Sequence, residues 1–178
     1  MADEVRHATL SFALASAYAG HPVGPGRLPV GDATLGASLA EIAAATVREG
    51  CVNETFASLV AREAADLATE PAVRAALDGI AADEARHAEL AWRFVAWALS
   101  EGGDDVHAAV ARAFDEACAV PSVVGDASDP TLAAHGQLSE SEKAVIFEKT
   151  ALEVIAPTAR ALLARPREVA RQGVAIGA

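Results

Sequence analysis

Aromatic side chains make up only 4% of this 178-residue chain, although hydrophobic residues as a class reach 52%. An interior poor in rings and rich in alanine suits closely packed helices and argues against a sheet protein. Cysteine is almost absent, and the two present, Cys51 and Cys118, give neither a disulfide framework nor a metal-binding spacing. A reducing compartment follows. Basic residues are also few, 14 against 25 acidic ones, and the formal charge of −11 repels nucleic acid and anionic membranes at long range. No long apolar run is present, and Asp3, Glu4 and Arg6 stand where a signal peptide would need its apolar core. The expectation is a cytoplasmic all-α protein with no nucleic-acid or membrane partner.

What the chain does contain is the string Asp83-Glu84-Ala85-Arg86-His87-Ala88-Glu89-Leu90, set in a long apolar-periodic segment. A Glu and a His three positions apart on a helix point the same way one turn apart, so both can reach one metal ion. The stripe through them reads Val73, Leu77, Ile80, Glu84, His87, Ala91, Phe94 and Ala98, apolar but for the pair itself. Asp78, Asp83, Arg86, Glu89 and Arg93 fall off that stripe, as the solvent-facing residues of an amphipathic helix do. A carboxylate on a buried stripe costs several kcal/mol, on the order of 3–5, unless a partner such as a bound cation compensates it.

The same string recurs near the start, where Asp3-Glu4-Val5-Arg6-His7-Ala8-Thr9-Leu10 matches at six of eight positions. Two copies of one structural unit are implied.

Taken in order, a first helix is expected over 2–19, with Glu4, His7, Ser11, Leu14 and Tyr18 on its inner stripe and a Gly/Pro-rich loop from His21 to Gly31 after it. Ser38-Leu39-Ala40-Glu41 reads as a capping box opening a second helix to about Ala68. Pro71 opens a third, which ends before Gly102-Gly103 and must run antiparallel to the second across the short link at Thr69-Glu70. A shorter helix follows over 105–119, then turn composition from Pro121 to Gln137. A second capping box at Ser139 opens a last helix to about Ala164, kinked at Pro157.

Antiparallel pairing about the 69–70 link puts the mirror image of Glu84 at position 55, beside Glu54. Periodicity favours Glu49 instead, because its stripe of Ile42, Ala45, Val52, Phe56 and Leu59 is the more apolar. A ligand must reach the ion, so Glu54 is the first choice and Glu49 the reserve.

These residues resemble the ferritin-like di-iron carboxylate superfamily, which includes ferritins, rubrerythrins and related oxygenases, over roughly residues 1–100. In that arrangement a Glu from each of two helices joins a Glu-x-x-His from each of the other two. Carried over, Glu4 and His7 match one such motif, Glu84 and His87 the other, and Glu54 the single carboxylate between them. The resemblance implies a ferritin-like antiparallel helical bundle, one domain over 1–178, with metal-site helices in 1–101 and extra C-terminal helices in 104–165. It implies two iron ions, with manganese as the other candidate, and an oxidoreductase acting on ferrous iron, peroxide or dioxygen. Glu54 and Glu84 are then the candidate bridging ligands, with one terminal imidazole per ion, and Asp3, Arg6, Asp83 and Arg86 support them from outside.

The family pattern also has a helix before the first motif, whereas only three residues precede Glu4 here. A bundle incomplete at the N-terminus is expected: either the first helix is truncated, or the further carboxylate is replaced by Glu148 or Glu153 of the last helix or supplied by a second subunit of a homo-oligomer. Three carboxylates against two divalent ions leave a net positive site and weaken iron retention.

The rival expectation is a metal-free or structural oligomerisation module derived from such an enzyme by loss of its first helix. A tRNA-modifying hydroxylase on this scaffold would need a basic docking surface, which the charge disfavours. Cys51, Trp92, Phe94 and Trp97 read as packing residues, and His21, His107 and His135 as solvated. Arg160, Arg165, Arg167 and Arg171 read as a solvated face complementing a helix dipole.

Overall fold

The computed structural model describes residues 2–27, 37–119 and 126–165. Every regular element among them is helical, and none of these helices is long and apolar enough to cross a membrane. Helix α1 (Ala2–Ala19) carries Asp3 and Glu4 in its first turn, where the helix dipole favours negative charge. Helix α2 is one continuous run in three stretches, Leu39–Thr46, a π-helical Val47–Glu54 and Thr55–Leu67. The capping box at its start is formed, with Ser38 accepting from the Glu41 amide and Glu41 accepting from the Ser38 amide. Helix α3 (Pro71–Glu101) follows across a short link that Arg74 closes by donating twice to the Ala68 carbonyl. Helices α4 (Asp104–Ala117) and α5 (Pro130–Ala134) come next. Helix α6 opens at the Ser139 box and runs through Glu140–Thr150, a π-helical Ala151–Ile155 and Ala156–Leu163.

Helices α2 and α3 lie antiparallel along most of their length. Arg62 pairs with Asp78 near the link, and Trp92 donates to Thr55 Oγ1 at 3.4 Å farther from it. Beyond these, Gly50 meets Ala91 so closely that a Cβ built on it would stand 2.4 Å from the Ala91 Cβ. Only glycine lets the two backbones approach this far. The core occupies this far end, with Val47 and Cys51 of α2, Val95 of α3, Val110 of α4 and Ile155 of α6 fully buried. Each of the larger aliphatic groups contributes roughly 1.5–3 kcal/mol by leaving water. Trp92 stacks on Phe114 with ring centroids 5.2 Å apart, which ties α3 to α4.

Helix α1 is attached differently. It packs on α3 in antiparallel sense, and His7 is its one buried residue. The inner stripe expected for it does face α3, yet Glu4, Ser11 and Tyr18 stay exposed, because beyond α3 the stripe meets little more than His135 and Gly136 at its far end.

Three expectations need correction. Asp83 was assigned to the solvent face but is 2% exposed. With α1 on one side of α3 and α2 on another, the buried arc of α3 is wider than one stripe. The turn-rich segment to Gln137 contains α5, capped by Asp129, while residues 120–125 lie outside the described set. His135 is not merely solvated, since it bonds the Tyr18 hydroxyl at 2.8 Å, and His107 is half-buried with Nε2 3.3 Å from the Leu163 carbonyl. Apart from these, a π-helical stretch, Ala151–Ile155, immediately precedes Pro157, the position at which the kink is expected. Arg160 and Arg165 are exposed, whereas Arg167 and Arg171 lie outside the described residues, as do 28–31 of the first loop.

Candidate metal centre

Helices α1 and α3 bring the two repeated strings face to face, and the π-helical stretch of α2 ends at the same level. Two groups of ligand atoms result, each lying within 4.8 Å of one another: Glu4, His7 and Glu84 in one, and Glu54, Glu84 and His87 in the other. Glu84 belongs to both. Its carboxylate presents Oε1 to His7 Nδ1 at 3.2 Å and Oε2 to His87 Nδ1 at 3.3 Å, the disposition of a bridge between two ions. Glu4 reaches across as well, with Oε1 3.3 Å from His87 Nδ1 and Oε2 3.7 Å from His7 Nδ1. All five residues singled out from the sequence therefore meet in one place.

The far nitrogens are held by the opposite string. His7 Nε2 stands 2.9 Å from Asp83 Oδ2, and His87 Nε2 stands 3.3 Å from Asp3 Oδ2. Asp83 also receives Arg6 and Arg86, so the buried carboxylate is balanced by two guanidinium groups. An Nε2–H donating to the aspartate leaves the Nδ1 lone pair aimed at Glu4 and Glu84. A lone pair facing carboxylate oxygens is repulsive unless a proton or a cation lies between them. The donor set of three carboxylates and two neutral imidazoles suits iron or manganese, so the residues present fit such a pair of ions.

Electrostatics agree with a site that holds protons when no ion is bound. Burial, a hydrogen bond with Glu84 and the charge of Glu84 push the Glu54 carboxyl up to about 7. For His87 burial favours the neutral ring, but hydrogen bonds to Asp3 and Glu84 and the charges of Glu84 and Glu4 outweigh it and raise the pKa. Asp3 is lowered, chiefly by its hydrogen bond with His87.

The other carboxylates considered do not join. Glu49 is exposed and accepts from Asn53 at 3.1 Å, while Glu148 and Glu153 are both exposed on α6 and neither enters the two groups. The expectation that α6 supplies the further carboxylate is therefore corrected. The stripe through Glu49 lies off the core before the π-helical stretch begins, since Ile42 and Ala45 are both exposed, and the buried line runs through Ala43, Val47, Cys51 and Val52 instead. Cys51 is fully buried in the core, where burial pushes its thiol up to about 12, and it enters neither group. Compared with known proteins, the chain matches no family model, no curated protein and no solved structure.

Proposed function

We propose that the chain is a ferritin-like di-iron protein, an oxidoreductase acting on ferrous iron, peroxide or dioxygen. The observation that carries this reading is the shared Glu84, which stands between two acid–imidazole groups whose Nδ1 atoms both face inward. Glu84 would bridge, with Glu4 and His7 on one ion and Glu54 and His87 on the other. Glu54, first considered as a second bridge, falls in one group only. A bound iron pair would supply one-electron steps that no side chain here provides. The protein's own part is to hold the imidazoles in one tautomer through Asp83 and Asp3, and to keep a proton near Glu54 up to about pH 7.

Iron analysis after anaerobic loading with ferrous salt is the test. About two irons per chain are expected in the wild type at saturating ferrous ion, held less tightly than four carboxylates would hold them, and almost none in Glu84→Ala. A wild-type protein that keeps its helical circular dichroism but retains no iron would overturn the reading. The rival, a metal-free helical oligomerisation module, is favoured by one observation: Val5 and Leu90, in the two repeated strings, are 64% and 68% exposed. Sedimentation of the metal-free protein shows whether it self-associates without the ions.

A further inference from the structure

Directly beside the acid–imidazole cluster, α1 and the first half of α3 flank a pocket of about 200 Å³ that is partly open to solvent. Leu10 and Leu14 form its wall on α1, and Leu77 and Ile80 its wall on α3. On each helix the cavity begins one turn from a candidate ligand, Leu10 following His7 and Ile80 preceding Glu84. Its far end is polar. There the Tyr18 hydroxyl meets His135 Nδ1 at 2.8 Å, and Gly136, at φ 75°, lets the chain lie over Leu77 where a Cβ would come 2.6 Å from Leu77 Cδ1.

Shape and polarity together select a ligand. From Leu10 to Tyr18 the helix rises roughly 12 Å, so the volume is spread along a slot and not gathered into a round void. The slot is open to solvent along one side, with Leu10 37% and Tyr18 59% exposed, and apart from Ser11 and the polar far end its walls are aliphatic, so a ligand enters from water and buries apolar surface there. We propose that the cavity binds an elongated aliphatic molecule with one hydrogen-bonding end. The head group meets Tyr18 and His135, and the apolar end lies toward His7 and Glu84. That this molecule is the organic substrate of the centre rests on the di-iron reading; its binding does not.

Calorimetric titration with 1-octanol, whose extended length matches the slot, tests the inference on metal-free and iron-loaded protein alike. Saturable binding is expected, at least tenfold tighter than for the compact cyclohexanol. Ala76→Phe, which fills the slot, should abolish it while leaving iron stoichiometry at the wild-type value. Tyr18→Phe should weaken it about fivefold, the loss of one ordinary hydrogen bond, and serves as the second variant if Ala76→Phe does not fold. No saturable binding to folded wild type, equal binding of cyclohexanol, or undiminished binding in Ala76→Phe would each overturn it. Iron content is read in the same samples, so octanol binding without iron removes the centre and keeps the cavity, and iron without octanol binding does the reverse.

Discussion

Asp83 lies 2.9 Å from Nε2 of His7, seventy-six positions away, and so steadies the imidazole of the opposite string and not that of its own. Asp3 returns the relationship toward His87 at 3.3 Å. Each string thus supplies one inward-facing acid–imidazole pair and the outer partner of the other pair.

Asp83→Asn leaves every candidate ligand in place but lets the amide offer a donor where His7 needs an acceptor. Ferrous or cobaltous affinity, followed by optical titration, is expected to fall roughly 10–100-fold. Asp3→Asn should have the smaller effect, since Asp3 is partly exposed and its contact is longer.

Metal affinity should rise between about pH 5 and pH 8. Glu54 keeps its proton to about pH 7 beside Glu84, and His87 holds its own above the ordinary imidazole range, so ions must displace protons. Cobalt titrations at a series of pH values check this. Glu54→Gln should flatten the lower part of the profile, and an unchanged profile would remove Glu54 from the site.

For the metal-free protein the sign follows from the same shift. A carboxyl raised in the folded state binds a proton more tightly there than when unfolded, so its penalty is absent below about pH 4.5 and complete above about pH 7. Thermal stability should therefore decline across that window on account of Glu54. His87 acts alongside, its contribution present below about pH 6.5 and lost as the pH rises through its higher folded value. The Glu54→Gln protein should show the shallower decline in thermal melts.

Gly50→Ala introduces a methyl that would stand 2.4 Å from the Ala91 Cβ, and the overpacking should outweigh the better helix propensity of alanine. A net loss on the order of 1–3 kcal/mol in urea unfolding is expected. Adding Ala91→Gly should restore part of it, and a double variant no better than the single one would show that the backbones do not meet there.

Thiol titration separates the two cysteines. Cys51, fully buried with its thiol pushed up to about 12, should react with an aromatic disulfide reagent only after unfolding. Cys118, partly exposed and less strongly raised, should react slowly in the folded protein.

Much of this was legible in the residues. Both capping boxes, the Pro71 start and the short link fixed the helix order, and mirroring about that link found Glu54 because depth depends only on rise per residue. Rotation did not carry through in the same way. The apolar spacing through Ile42, Ala45 and Leu59 marks a face of α2 that stays exposed, so the stripe through Glu49 leads to an exposed side chain. The burial of Asp83 escaped a single-stripe reading for a different reason: a helix with neighbours on two sides buries more than one row, and only the repetition of Asp in both strings hinted at it. The Tyr18–His135 bond joins residues 117 apart and had no local signal at all.

The thin attachment of α1 has a dynamic corollary. A segment that buries little besides His7 opens at low free energy, and cations gripped by Glu4 and His7 would fasten it, so occupancy and local unfolding become linked equilibria. Amide hydrogens between residues 2 and 19 should exchange fast in the stripped protein and slow in the loaded one, which makes this helix a built-in reporter of whether the ions are home.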